Sequence, residues 1–461
     1  MTVDDADPRI RRRRRDAKPA SPSADHTALG WVDDEGRPVS AAQPRPASYD
    51  LLPPAGRRRG IPLAFFGIPA LAVLAVATAY TTAMLLWPLN NVTPAASATD
   101  AAALTGAPSA IAWPTDAESA VGVAGFAPAA SSTTPAQMAS TTKLVTALVI
   151  LDQAPLAAGE QGPAYEFTYA DRQEYWRYVA QNQSALNVPD DGSLTEYQIL
   201  QGMLIASASN YADRLATDAF GSVQDYVTAA NAWLVENELD GITVTDASGY
   251  DRGNVATPAA MVALAEKAMA NPVIAEIVAT ESAELPGAGE FENTNALLGT
   301  DGVIGLKTGS YAGSYNLVAA RSLDLGGGPT TLFASVAEAP TDAARVDETE
   351  ALLDAVAQEA SVTTTLPAGT VVGEVTTAWG ATTTVVTDED AELHLWNGAT
   401  ATAEPAFDID ADAAAGADAG TITLAGPADE VDVPVSVTTA LDGPDPWWRL
   451  THPMELVGAG D

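Results

Sequence analysis

The amino-acid sequence predicts an α+β fold, with an antiparallel sheet and helices packed on it, a small β-rich domain after it and one apolar helix before it. Three observations predict this. Residues 111–361 mix strand-like and helix-like patterns, and two long strand patterns meet across Gly326-Gly327-Gly328. From residue 362 onward helical spacing disappears, and Thr and Val dominate short runs broken by turn residues. Residues 61–87 carry no charge at all.

Taken in order, residues 1–60 are rich in Arg, Asp and Pro and lack apolar periodicity, so they read as a disordered arm. Its basic run Arg11–Arg15 reads either as a solvated tail or as a contact for anionic lipid. Residues 61–87 as a helix reach roughly 40 Å at ~1.5 Å per residue, enough to cross a ~30 Å hydrocarbon core with tilt. Arg57, Arg58 and Arg59 flank that run upstream, which places residues 1–60 in the cytoplasm and the rest outside. The run is too long, and starts too late, for an ordinary cleaved signal peptide, so it is expected to be an uncleaved single-pass anchor. Residues 88–110, rich in Ala, Thr, Ser and Pro, read as a tether.

Within 111–361, "SAVGVAGFA" alternates like a strand, and Ser140–Leu151 is helical with Asp152 just past it. "LTEYQILQGMLIAS" and "MVALAEKAMANPVIAEIVA" repeat apolar residues at three and four spacing and read as helices. "YNLVAARSLDL" and "PTTLFASVAEA" form the hairpin, and "DAARVDETEALLDAVAQEA" closes the unit as a helix. Residues 362–461 are expected to hold strands and turns only. There Asp408, Asp410 and Asp412 have the spacing of a calcium loop, but the glycine needed next is Ala413 and the twelfth position is Ala419, so an acidic surface loop is the reading.

Composition narrows the chemistry. There is no cysteine, which removes thiol nucleophiles, disulfides and thiolate metal sites. The three histidines, His26, His394 and His452, all lie outside residues 100–390. A Ser-His-Asp triad or a histidine metal cluster within that region is therefore excluded. No metal and no cofactor is expected. Residues 1–60 carry 12 Lys+Arg and 9 Asp+Glu, and the remainder carries 10 and 51. So acidic a body argues against nucleic acid as its partner.

Lysine is equally scarce, at Lys18, Lys143, Lys267 and Lys307. In "QMASTTKLVTALV" Ser140 and Lys143 are separated by nearly one helical turn and share a face. A serine there is either a helix cap or a nucleophile beside its own base. Burial and the positive end of the helix dipole both disfavour a protonated Lys143, leaving a free amine to take the serine proton. "SASNYADRLA" opens a second helix with Ser207 and Asn210 at its start. In "GVIGLKTGSYAGSYNLVAA", Lys307 and Thr308 offer a cation and a hydroxyl to an anionic group, and Gly309 leaves room for a substrate backbone.

Ser-x-x-Lys, Ser-x-x-Asn and Lys-Thr-Gly in this order form the signature set of penicillin-binding proteins and class A β-lactamases. The sequence resembles the serine-type D-alanyl-D-alanine carboxypeptidases, the low-molecular-weight penicillin-binding proteins, over roughly residues 111–360. "AVGVAG", "DASGYD" at 246–251 and "NTNALL" at 293–298 also look like landmarks of that family. The resemblance implies Ser140 as the acylated nucleophile, Lys143 as its base and Ser207 as a proton relay to the leaving D-alanine. It implies that Lys307 and Thr308 bind the terminal carboxylate, and that the N–H groups of Ser140 and Ser310 form the oxyanion hole. The implied setting is the outer face of a bacterial cytoplasmic membrane. The implied partners are peptidoglycan stem peptides ending in D-Ala-D-Ala, with β-lactams as inhibitors.

One position departs from the pattern. The family has Asn two residues after the motif serine, where this chain has Ser209, and asparagine follows at Asn210. One residue turns a helical side chain by about 100°. Either Ser209 supplies a hydroxyl in place of the amide, or a backbone shift brings Asn210 round. Two rivals stand beside the carboxypeptidase. A class A-like β-lactamase needs a glutamate-held water, for which Glu236 and Glu238 are poor candidates. A catalytically impaired scaffold of the wall machinery has no reason to keep both scarce lysines in place.

Overall fold

The computed structural model describes residues 64–99, 103–326 and 328–459. The arm at 1–60 and Gly327 lie outside the described residues. The chain divides into a leading unit ending at Leu74 and a compact unit from Ala75 onward. Helix α1 (Ala64–Leu86) contains Phe66–Leu86, a stretch of 21 residues with mean hydropathy 1.8, long and apolar enough to cross a membrane. It is apolar on all sides, as a lipid-facing helix is and an amphipathic surface helix is not.

The segment 88–110 departs from the expected free tether. Ala95–Ala98 pairs antiparallel with Val371–Thr376 at the edge of the C-terminal sheet. Further on, Gly106 N–H donates to Ala399 O at 2.8 Å, and Ala401 N–H donates to Leu104 O at 2.9 Å. The physical reason is backbone satisfaction. Small residues that read as a flexible linker also fit an open sheet edge, where every paired N–H and C=O offsets its loss of water.

The main sheet comprises β1 (Glu118–Val123), β2 (Ala129–Ala130), β3 (Val303–Tyr311), β4 (Ser314–Asp324) and β5 (Pro329–Ala339), in the order β3-β4-β5-β1-β2. Pairing along it is antiparallel throughout. The strands are buried on both faces, and period two sorts their side chains. Ala120, Val318, Ala320 and Phe333 enter the larger helical core. Val121, Leu317, Ala319, Leu332 and Ala334 enter the core under the closing helix α5 (Asp342–Ala360).

The larger core surrounds α2 (Lys143–Gln153), whose residues from Lys143 to Leu151 are all buried. Asp152 therefore belongs to the helix rather than following it. Around α2 pack α3 (Ser209–Phe220) and α4 (Pro258–Ala270). The helix expected over "MVALAEKAMANPVIAEIVA" is broken in two, because Asn271 caps a new helix that begins at Pro272.

The C-terminal region has its own core of Val372, Val385, Leu393, Ile422, Leu424 and Val435. Trp396 fastens it to the main domain: its ring meets Phe126 edge-on with centroids 6.4 Å apart, and its indole N–H donates to Glu359 at 2.9 Å. The expectation of strands and turns alone fails at the end of the chain. Pro446–Thr451 and Pro453–Leu456 are short helices, each opened by proline, and Asp445 caps the first.

Candidate active site

Ser140 lies in a 3-10 turn, Ala139–Thr142, that runs directly into α2, so Lys143 is the first α-helical residue. In a 3-10 turn residues three apart nearly eclipse. Lys143 Nζ accordingly donates to Ser140 Oγ at 3.0 Å. It also donates to Ser248 O at 2.6 Å and to Ser209 Oγ at 3.3 Å. The amine has no carboxylate among its hydrogen-bond partners and no solvent exposure. Burial lowers its pKa to about 8, against the opposing pull of the Asp213 and Asp246 charges. A serine touching a buried amine of lowered pKa has the geometry of a nucleophile beside its base rather than of a helix cap, and Ser140 caps neither the turn nor α2.

Two glycines make the turn possible. Gly249 has φ +81°, and a Cβ on it would lie 1.8 Å from Ala139 O. A Cβ on Gly309 would lie 2.9 Å from Met138 O and 3.1 Å from Ser140 N. Gly309 therefore has a reason of its own to be glycine: the space a side chain would fill there holds the chain's own nucleophile segment.

The turn carrying Gly249 is organised by Asp246. Its carboxylate accepts the N–H groups of Ser248 at 3.0 Å, Gly249 at 2.6 Å and Asp251 at 2.6 Å. The landmark "DASGYD" thereby presents Ser248 O to the lysine. "NTNALL" has a similar role: Thr294 Oγ1 shares a 2.6 Å hydrogen bond with Thr308 Oγ1.

The second motif resolves in favour of Ser209. It is buried, starts α3, and its hydroxyl meets Lys143. Ser207 sits before the helix at φ +64°, also buried, with no side-chain hydrogen bond among the described residues. Asn210 does not turn round to the site, which corrects its expected substrate-binding place. Its Oδ1 accepts from Leu186 N at 3.1 Å and its Nδ2 donates to Leu186 O at 2.8 Å, so its amide clasps the loop before α3.

On β3, Lys307 is 1% exposed and donates to Thr308 O at 3.2 Å. Burial, then the charges of Lys143 and Arg345, push its pKa well below the ordinary lysine value. Arg345 was not foreseen. It donates to Gly309 O at 3.0 Å, Ser310 Oγ at 3.2 Å and Asn316 O at 3.1 Å, and pairs with Asp342. Its signal in the sequence is a guanidinium in the first turn of a helix, where the dipole disfavours it.

A cavity of about 240 Å³ opens over these groups. Of the expected residues, Ser140, Ser209 and Ser310 line it, together with Gln181–Ser184, Ser248–Tyr250, Tyr311 and Ala312. Lys143 and Lys307 are buried beneath. The described residues hold no cluster of three acidic or histidine side chains placed to bind a metal ion.

This arrangement sets a cavity-lining serine hydroxyl against the buried amine of a lysine. Residues 128–324 match the model of the D-alanyl-D-alanine carboxypeptidases, peptidase family S11. The resemblance read from the motifs is thus shown over that segment, whose domain is that of a serine DD-peptidase. No curated protein matches the chain. Among solved structures, the Streptomyces K15 DD-transpeptidase is 24% identical, with 53% of this chain and 98% of that one covered and a TM-score of 0.47. Penicillin binding protein 5 from Haemophilus influenzae is 18% identical, with 72% and 99% covered and a TM-score of 0.49.

Proposed function

We propose that this protein is a membrane-anchored D-alanyl-D-alanine carboxypeptidase that trims the terminal D-alanine from peptidoglycan pentapeptide stems outside the cytoplasmic membrane. The observation that carries the reading is the 3.0 Å contact of Ser140 Oγ with the buried amine of Lys143. The family match over residues 128–324 and the apolar helix ahead of that segment support it.

In this reading Ser140 Oγ attacks the carbonyl carbon of the penultimate D-alanine, and its proton passes to Lys143 Nζ. The N–H groups of Ser140 and Ser310 hold the developing oxyanion, an arrangement whose loss of one donor typically costs roughly 3–4 kcal/mol. The peptide C–N bond breaks as a proton reaches the leaving amine. The motif resemblance implies Ser207 as the relay of that proton; Ser209 takes that place in this reading, because its hydroxyl lies 3.3 Å from Lys143 Nζ and lines the cavity. Lys307 and Thr308 receive the terminal carboxylate. Water then cleaves the acyl-serine ester, with Lys143 again taking the proton and returning it to the departing Ser140 Oγ. A β-lactam enters the same path at the acylation step.

The test is mass spectrometry of the full chain after brief exposure to a labelled penicillin, beside Ser140→Ala, with D-alanine release from a pentapeptide measured in parallel. An adduct on the Ser140 peptide, absent in the variant, together with D-alanine release supports the reading. An adduct without release from any stem peptide overturns the carboxypeptidase assignment, and rapid turnover of the penicillin marks a lactamase.

A further inference from the structure

Arg252 has no role in the steps above, yet it lies against Tyr311, one of the residues that line the cleft. Among the described residues Arg172, Arg177, Arg214, Arg321 and Arg345 each pair with a carboxylate, and Arg449 donates to Trp87 O. Arg252 is the one arginine there with neither an ion pair nor a hydrogen bond, although the chain beyond residue 60 carries 51 acidic groups against 10 basic ones. The adjacent Asp251 makes no ion pair with it; one oxygen of that carboxylate, Oδ1, accepts from Thr245 Oγ1 at 2.9 Å and Gly253 N at 2.7 Å.

The guanidinium is held rather than loose. It lies over the Tyr311 ring at 5.1 Å. Tyr311 packs edge-on against Tyr250 at 5.8 Å, and both rings line the cavity. A cation stacked on a ring is oriented without being neutralised, so its N–H donors stay available.

Strand geometry says which part of a substrate passes this point. β3 is an edge strand with a free side toward the cleft. With the terminal carboxylate at Lys307 and Thr308 and the scissile carbonyl at Ser140 and Ser310, the peptide runs antiparallel to β3. From Thr308 to Tyr311 is then about 10 Å at ~3.3 Å per residue. The residue immediately before D-Ala-D-Ala therefore lies beside Tyr311 and Arg252. We propose that Arg252 selects stems whose residue at that position bears a free carboxylate on its side chain, by a charge-assisted contact with the guanidinium. This rests on the DD-peptidase reading of the site.

The experiment compares two synthetic acyl-peptides ending in D-Ala-D-Ala that differ only in a carboxylate or a carboxamide on the preceding side chain. kcat/KM is measured for the full chain, for Arg252→Gln and for Arg252→Lys. The expected result is a preference of about fivefold for the carboxylate peptide, the upper range for a partly exposed ion pair. The preference is lost in Arg252→Gln with the carboxamide rate unchanged, is partly kept in Arg252→Lys, and shrinks with added salt. Equal rates for the two peptides in the unmodified protein, or an equal loss for both in Arg252→Gln, overturn the proposal. If neither peptide is cleaved, the hydrolase reading fails instead. The protection each peptide gives Ser140 against labelled penicillin then decides the Arg252 contact, and equal protection overturns it.

Discussion

Raising the pH from 6 to 8 accelerates acylation of Ser140 about fiftyfold, because the base must be a free amine and the buried Lys143 has a pKa of about 8. The sign follows from the charge that burial disfavours. With its pKa lowered, the amine loses its proton at a lower pH, so the competent form grows as pH rises and saturates above 8. At pH 7 about a tenth of such an amine is neutral, against roughly 0.03% for an unshifted lysine, a gain of about 300-fold or ~3.4 kcal/mol. The Asp213 charge works against this shift, so Asp213→Asn moves the midpoint to lower pH. Lys307 acts in the opposite sense, since losing its proton weakens the hold on a carboxylate. That loss, which burial brings well below the ordinary lysine range, lowers the second-order constant as pH rises without lowering the limiting acylation rate. The assay is the rate of labelling by a fluorescent penicillin from pH 5.5 to 9.5 at saturating and sub-saturating concentrations. A flat limiting rate across that range, or undiminished labelling of Lys143→Ala, would refute the assignment of Lys143 as the base.

Two further outcomes test the scaffold around the pair. Gly249→Ala forces a Cβ against Ala139 O at a left-handed φ, costing on the order of 1–3 kcal/mol in strain; it should lower the melting temperature and reduce penicillin labelling together, and unchanged labelling would show that this contact does not place Ser140. Arg345→Gln leaves the oxygens of Gly309, Ser310 and Asn316 short of a donor, worth roughly 1–3 kcal/mol. Thermal melts and acylation kinetics should both report the loss, and a variant as stable and as fast as the parent would remove Arg345 from the support of β3.

Much of the catalytic domain was legible because its signals are local. The hairpin strands, the closing helix and the Ser140-Lys143 pair each depend on residues within one turn or one alternation of each other. The second motif was not legible in that way. Ser207, Ser209 and Asn210 lie within four residues, and only the packing of α3 on α2 decides which of them reaches the lysine. Arg345 was missed because the oxygens it serves, on Gly309, Ser310 and Asn316, lie on other segments, and nothing beside it in the chain marks those contacts.

By itself the sequence determined the uncharged span, the absence of thiol and histidine chemistry in residues 100–390, the alternation of strands and helices, and the pairing of Ser140 with Lys143. These follow from composition and from periods of two and 3.6 residues, which act over short stretches. Tertiary structure alone decided that Ser209 meets Lys143 while Asn210 turns to Leu186, that Gly309 accommodates the nucleophile segment, that residues 95–98 become a strand, and that Arg252 lies unpaired against Tyr311. Each of these depends on which distant segment occupies the neighbouring space, and burial and hydrogen-bond satisfaction settle that only when the whole domain has closed.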